Sequence, residues 1–118
     1  MAGKCIVVID DDQGILDAFD AILGDEFTIH YERDGVSAKR AILENAPSLL
    51  FLDIKMPGMN GIDVLRWIRQ RNLDTKVVLI TALPQSIYET MATQYGAHFV
   101  RKPFEVQDIE SLALEAVH

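Results

Sequence analysis

Five short apolar runs, rich in β-branched residues, alternate along this chain with segments of helical periodicity. Such alternation with short connections is typical of a parallel sheet that carries helices on both faces. The first, third and fourth runs are almost entirely apolar, as central parallel strands are, whereas the second has the polar character of an edge strand. The sequence therefore predicts a doubly wound (βα)5 α/β fold, with strands at residues 4–9, 27–31, 48–52, 76–80 and 97–101.

The predicted helices differ in the strength of their apolar stripes. The first has a full inner stripe at positions i, i+4, i+7 and i+8, formed by Ile15, Phe19, Ile22 and Leu23. The fourth, at residues 85–95, has few large apolar residues, namely Ile87, Met91 and Tyr95. We therefore expect the fourth helix to be held loosely. The first helix is predicted at 13–23, and the remaining three are predicted at 35–45, after a cap at Asn60, and at 106–116.

Length and charge narrow the class of protein. A chain of 118 residues fits a single domain, residues 1–118, with one core. Its net charge of −7 argues against direct nucleic-acid binding. No apolar run approaches the roughly 20 residues that span a bilayer, so no membrane partner is expected. The lone Cys5 is predicted to be a buried, inert thiol, and its inability to form an internal disulfide suits a reducing cytoplasm.

The ends of four predicted strands bring acids, a hydroxyl and an ammonium to one edge of the sheet. The three acids Asp10, Asp11 and Asp12 follow the first strand, and Asp53, Thr81 and Lys102 follow the third, fourth and fifth. One acid before a helix could simply cap it, but two charges about 4 Å apart repel by about 4 kcal/mol at an effective dielectric constant near 20. Clustered carboxylates suit Mg²⁺, which typically bridges protein carboxylates to phosphate.

These residues lie in longer motifs that resemble the receiver domain of two-component response regulators. The motifs are Val8-Ile9-Asp10-Asp11-Asp12, the segment 52–61 that contains Asp53-Ile54-Lys55-Met56-Pro57-Gly58, Ile80-Thr81-Ala82, and the segment 96–104 that ends in Lys102-Pro103-Phe104. The resemblance covers essentially the whole chain. It implies a flavodoxin-like sheet with strand order 2-1-3-4-5, which is the order known for this family.

The resemblance also implies a role for each residue of the site. Asp53 would be the phosphoacceptor, and Asp10, Asp11 and Asp53 would bind Mg²⁺ together with the backbone carbonyl of Lys55. Thr81 and Lys102 would contact the phosphoryl oxygens. Phe99 would be the switch residue whose rotamer reports phosphorylation, and Asp12 would cap a helix.

The same resemblance implies the partners and the output. The donor would be a histidine kinase or a phosphotransfer protein, and the chain would catalyse only its own phosphorylation and dephosphorylation. The output surface would be formed by the fourth helix, fifth strand and fifth helix, residues 85–116, and would act on an output domain or protein. Phosphorylation could also produce a homodimer. Lys55 and the Leu83-Pro84 pair depart from the common pattern at positions that tune phosphate lifetime in the family.

Two other classes of protein can be weighed against this interpretation. In a haloacid-dehalogenase-like phosphatase, Asp10 and Asp12 would form the nucleophile motif, but Asp53 and its loop would have no role. A flavodoxin-like flavin carrier would need a Ser/Thr/Gly-rich phosphate loop after the first strand, where this chain has three acids. Phosphate on Asp10 would support the phosphatase, and a coloured protein would support the flavin carrier.

Overall fold

A five-stranded parallel sheet forms the centre of the computed structural model, which describes residues 5–117 apart from the side chains of Gln85 and Val117. The strands are β1 (Cys5–Ile9), β2 (Thr28–Glu32), β3 (Leu49–Asp53), β4 (Lys76–Thr81) and β5 (His98–Arg101). Their order is β2-β1-β3-β4-β5 and every neighbouring pair is parallel. The predicted fold class and strand order are confirmed. Lys4, in the first predicted strand, lies outside the described residues.

Five helices cover the two faces of this sheet: α1 (Gln13–Leu23), α2 (Gly35–Asn45), α3 (Gly61–Gln70), α4 (Gln85–Gln94) and α5 (Val106–Val117). Because side chains alternate along a strand, β1 and β3 each supply both apolar layers. One layer packs Val8 and Phe51 against α1 and α5, and the other packs Val7 and Leu50 against α2, α3 and α4. Cys5 is buried in β1, as predicted.

The observed strand ends differ from the predicted ones by one residue. Strands β3 and β4 extend to Asp53 and Thr81, so both residues end a strand instead of following one. Strand β2 is displaced one residue toward the C-terminus, and β5 begins at His98. The structure also contains a short antiparallel hairpin, Lys55–Met56 paired with Met59–Asn60, that the sequence analysis did not predict.

Two predicted inner faces need correction. In α1, Leu16 is buried with Phe19 and Leu23, whereas Ile15 is only half-buried at the margin of the core. In α4, Ile87 is 57% exposed, and Ala92 is the one buried hydrophobic residue among those described in the helix. Helix α4 therefore has a weaker anchor than predicted, because alanine buries little apolar surface.

Among residues 5–117, none of the helices combines the length and the apolar character needed to cross a bilayer.

The hairpin and α3 meet β3 through a close backbone contact at Gly61. A Cβ atom on Gly61 would overlap the backbone oxygen of Asp53 and lie 2.8 Å from the Cα of Ile54. The Gly61 N–H also donates to the carbonyl of Ile54 at 2.6 Å. Helix α3 begins directly after Asn60, whose side chain accepts the Ile62 N–H at 2.8 Å, as predicted. Gly61 thus allows the start of α3 to pack directly behind Asp53.

Replacing Gly61 with Ala should lower the free energy of unfolding by about 1–3 kcal/mol, the usual cost of inserting a methyl group where none fits. Urea denaturation measures this change. Gln70→Ala, at an exposed position of the same helix, is the control and should change stability by less than about 0.5 kcal/mol. Equal stability of the two variants would contradict the close contact.

Candidate functional site

The candidate site lies at the carboxyl ends of β1, β3, β4 and β5. The register places Ile9 beside Leu52, Asp53 beside Ile80, and Thr81 beside Arg101. Residues one step beyond these pairs, Asp10 and Lys102, therefore reach the same edge as Asp53 and Thr81. Of the six residues expected at this edge, Asp10, Asp11 and Asp53 have carboxylate oxygens within 4.8 Å of one another, and Lys102 contacts Asp10 and Asp53. Thr81 ends the neighbouring strand β4, and Asp12 is the N-cap of α1.

Asp10 is the most buried of the acids, with no exposed surface. Its Oδ1 accepts the Asp12 N–H at 2.9 Å, which fixes the orientation of the carboxylate. Its Oδ2 lies 2.7 Å from Nζ of Lys102, but no donor among residues 5–117 forms a hydrogen bond of good geometry with this oxygen. A buried carboxylate oxygen supported only by an ion pair retains the capacity to bind a cation.

Asp10, Asp11 and Asp53 form a carboxylate cluster. Each offers one oxygen, and the three oxygens lie within 4.8 Å of one another. Asp53 is 5% exposed, and Asp11 is half-exposed. Three oxygen donors at this separation, with one side open to solvent, fit a hard divalent cation that keeps part of its water shell.

The environment of Asp53 favours its neutral form. Burial raises the pKa of this carboxyl from 3.8 to about 6, and the negative charge of Asp10 adds to the effect. Lys102, whose Nζ lies 3.6 Å from Asp53 Oδ2, lowers the pKa but does not offset burial. Without a metal ion, Lys102 alone therefore does not balance the negative charge of the three carboxylates.

Lys102 is the cation within this cluster. Its backbone N–H donates to the carbonyl of Thr81 at 2.8 Å, which ties the end of β5 to the end of β4. Burial lowers the pKa of the Lys102 ammonium, but Asp10 and Asp53 outweigh that effect and the net change is upward. Lys102 is thus held as a charged group between two carboxylates.

Thr81 and Phe99 lie on the side of the site nearest α4. The Thr81 side chain is buried, and its Oγ1 accepts the N–H of Leu83 at 3.1 Å. This bond connects the end of β4 to Leu83, which precedes Pro84 at the start of α4, where none of the described side chains caps the helix. Phe99 is half-buried and packs against the core cluster that contains Leu79 and Ala92.

Lys55 and Asp12 stand apart from the carboxylate cluster. Lys55 lies in the first strand of the hairpin, two residues after Asp53, with an exposed side chain. Asp12 is exposed, and its Oδ1 accepts the Gly14 N–H at 2.8 Å. Asp12 is therefore the N-cap of α1, as predicted.

Arg33 is a residue near the site that the sequence analysis missed. It follows β2, and its Nη2 and Nε donate to the backbone carbonyl of Asp11 at 2.8 and 3.3 Å. An exposed arginine after an edge strand gives no sequence signal of such a role, because the contact joins residues 22 positions apart.

Comparison with known proteins identifies the same family that the motifs resemble. The model of the family "Response regulator receiver domain" matches residues 6–114. The DNA-binding response regulator MtrA of Mycobacterium tuberculosis is 33% identical over 106 residues, which cover 88% of this chain and 46% of that protein. The transcriptional regulatory protein DltR of Streptococcus agalactiae is 29% identical over 106 residues, which cover 88% of this chain and 47% of that protein. The chain thus spans a little under half the length of these relatives.

A solved structure supports the family at the level of the fold. The receiver domain of NtrX from Brucella abortus is 32% identical and superposes with a TM-score of 0.86, covering 95% of this chain and 97% of that one.

Asp53→Asn should stabilise the metal-free protein at neutral pH. The pKa of Asp53 is higher in the folded state than its ordinary value of 3.8, so ionisation of this group destabilises the fold. The stabilising contribution of the protonated form is complete below about pH 4 and is lost as the pH rises through about 6. A difference near 2 between the folded and unfolded pKa values corresponds to about 3 kcal/mol in the free energy of unfolding.

Urea denaturation in a chelator between pH 4 and pH 8 measures this difference. At pH 8 the free energy of unfolding of Asp53→Asn should exceed that of the wild type by about 3 kcal/mol. Near pH 4 the two free energies should be equal. The matched control is Asp12→Asn, which removes one nearby charge but keeps a good capping residue, and should change little. A gain for Asp53→Asn that is the same at both pH values would contradict the assignment.

Proposed function

The chain belongs to the response regulator receiver family of two-component signalling, and on this premise we propose that it accepts a phosphoryl group on Asp53 in a Mg²⁺-dependent reaction. The observation that carries the proposal is the position of the buried Asp53 carboxylate, which shares a cluster with Asp10 and Asp11 and lies 3.6 Å from Lys102 Nζ. A nucleophile, two further oxygen ligands and an ammonium are the groups that phosphoryl transfer requires.

The proposed reaction forms an acyl phosphate. An oxygen of ionised Asp53 attacks the phosphorus of a phosphohistidine on the donor, the phosphorus–nitrogen bond breaks, and the histidine nitrogen leaves with the electron pair. Asp10, Asp11 and Asp53, with the backbone carbonyl of Lys55, would hold Mg²⁺, which supplies positive charge for the phosphoryl oxygens. Lys102 neutralises another phosphoryl oxygen, and the Thr81 hydroxyl donates to a third.

The Thr81 hydroxyl can take this role without losing its present bond. A hydroxyl accepts and donates at the same time, so Oγ1 can keep the Leu83 N–H while its hydrogen turns toward a phosphoryl oxygen. A displacement of Thr81 toward the phosphoryl group would then pull Leu83 and Pro84, and with them the uncapped start of α4. Phe99 would enter the space that Thr81 vacates.

In this proposal the chain is a signalling module and not an enzyme that turns over separate substrates. It catalyses only the transfer to Asp53 and the later hydrolysis of the acyl phosphate. The donor is a histidine kinase or a phosphotransfer protein, and the proposed compartment is the cytoplasm, which suits the buried thiol of Cys5. The output is a domain or protein that contacts α4, β5 and α5, or a second copy of this chain after phosphorylation.

Helix α4 has the physical properties of a mobile output element. It has no side-chain cap at its start, and its described core contact is one buried alanine, Ala92, flanked by half-buried Tyr88 and Met91. At its C-terminal end the Tyr95 carbonyl accepts from Arg69 at 2.8 Å and the Tyr95 hydroxyl from Arg66 at 3.1 Å. The start of α4 can therefore shift while α3 holds its end.

Acetyl phosphate with Mg²⁺ should add one phosphoryl group to the wild-type chain and none to Asp53→Asn, as measured by intact-protein mass spectrometry. Lys102→Met should slow the reaction by about a hundredfold, because it removes one charged donor to the transferred group. Asp12→Asn is the control and should react at the wild-type rate. Phosphate retained in Asp53→Asn and located at Asp10 would instead favour the phosphatase-like chemistry.

Beryllofluoride bound at Asp53 should shift the amide resonances of the site loops. Outside those loops, the large shifts should fall in residues 82–104. The shift is expected there because the Thr81–Leu83 bond and Phe99 both connect the site to this segment. Two-dimensional NMR with and without the phosphoryl mimic measures it, with Asp53→Asn as the control. Large changes confined to α1 and α2 would show that the output surface is elsewhere.

A further inference from the structure

The loop that carries the acids Asp10, Asp11 and Asp12 is held by few contacts from outside β1 and α1. One is a backbone bond, from the Asp10 N–H to the carbonyl of Glu32 at 3.1 Å. Another is the pair of bonds from the Arg33 guanidinium to the carbonyl of Asp11. Both come from the end of β2, so the edge strand helps to hold the backbone of this loop, while Lys102 contacts the Asp10 side chain.

Asp11 depends on this support more than Asp10 does. The Asp10 carboxylate is buried and oriented by the Asp12 N–H and by Lys102. The Asp11 side chain is half-exposed, and its carboxylate accepts no hydrogen bond among residues 5–117. The position of this carboxylate therefore depends on the position of its backbone, and the donor to the Asp11 carbonyl is Arg33.

Arg33 contacts this carbonyl and no acid. Within residues 5–117, no carboxylate oxygen lies within the 4.0 Å ion-pair distance of its guanidinium. Two of its N–H groups converge on one oxygen, a geometry that the planar guanidinium provides and a lysine ammonium does not. Its contact is therefore specific to the backbone of the loop.

We infer that Arg33 is a positioning residue for the divalent-cation site: its guanidinium holds the Asp11 peptide, and this keeps an oxygen of the Asp11 carboxylate within 4.8 Å of oxygens of Asp10 and Asp53. This inference rests on the proposed Mg²⁺-dependent function. Mg²⁺ tolerates little departure from octahedral geometry, so a loosened ligand weakens its binding. Residues that orient metal ligands typically contribute about 10- to 100-fold in affinity.

The positive charge of Arg33 and its hydrogen bonds to the loop should change the Mg²⁺ affinity in opposite directions, which makes the inference testable. A positive charge beside the site repels Mg²⁺, so removing it without any effect on the loop should tighten binding. Removing the donor, by contrast, should weaken binding. The direction of the change in Mg²⁺ affinity therefore separates the two roles.

The experiment is calorimetric titration of the unphosphorylated full chain with Mg²⁺ at physiological ionic strength. Arg33→Leu should bind Mg²⁺ at least about tenfold more weakly than the wild type. Arg33→Lys keeps the charge and can still donate a single hydrogen bond to the Asp11 carbonyl, so its Mg²⁺ affinity should fall between those of the wild type and Arg33→Leu. The matched control is Arg40→Leu, which removes an exposed arginine from α2 and should change affinity by less than about twofold because salt screens it.

Two further measurements separate positioning from a loss of folding. The melting temperatures of Arg33→Leu and Arg40→Leu in chelator should agree, and saturating Mg²⁺ should restore the rate of phosphorylation of Arg33→Leu by acetyl phosphate. If Arg33→Leu fails to fold, Arg33→Lys must still show weaker Mg²⁺ binding at an unchanged melting temperature.

Equal or tighter binding by Arg33→Leu would overturn the inference and leave the proposed function intact. The same holds for an equal loss of affinity in Arg33→Leu and Arg40→Leu. Wild-type protein that binds no Mg²⁺, or binds it equally well as Asp53→Asn, would overturn the proposed function and this inference with it.

Discussion

The ion pair between Lys102 and Asp10, with Asp53 beside it, is the interaction on which the arrangement of this site depends. Two of the three clustered carboxylates are buried, and charges in such a place are tolerated only with a partner. The Lys102 ammonium, 2.7 Å from Asp10 and 3.6 Å from Asp53, is that partner. One lysine cannot balance three acids, and the negative charge of Asp10 adds to the effect of burial in raising the pKa of Asp53. A divalent cation bound among the three carboxylates would supply the missing positive charge.

The same sheet edge combines rigid and mobile supports. Strands β1 and β3, fully buried on both faces, hold Asp10 and Asp53. The close contact of Gly61 with the backbone of Asp53 and Ile54 supports the site from behind. Toward α4 the packing is weaker, because that helix lacks a side-chain cap and exposes Ile87. In the proposed function, a change of charge at the rigid acids would therefore move the weakly held helix at low cost in stability.

Whether a segment forms a strand or a helix could be predicted, because the spacing of its apolar residues differs between the two and is visible within the segment itself. The ends could not. Asp53 and Thr81 were predicted to follow their strands, since polar groups usually end an apolar run, yet ladder pairing with Ile80 and Arg101 keeps them in the sheet. Ile15 and Leu16 are adjacent, and only the docking angle of α1 decides that Leu16 is buried. In α4 the same docking geometry leaves Ile87 exposed and buries Ala92.

By itself the sequence determined the fold class, the family and the identity of the polar residues, because these follow from local periodicity and from short motifs. The tertiary structure decided which groups meet. The register of parallel strands placed Lys102 on Asp10 more closely than on Asp53, and the crossing of Arg33 to the Asp11 carbonyl is visible in no local pattern. Distances between side chains remote in the chain depend on strand order, register and backbone twist, and those are properties of the packed sheet as a whole.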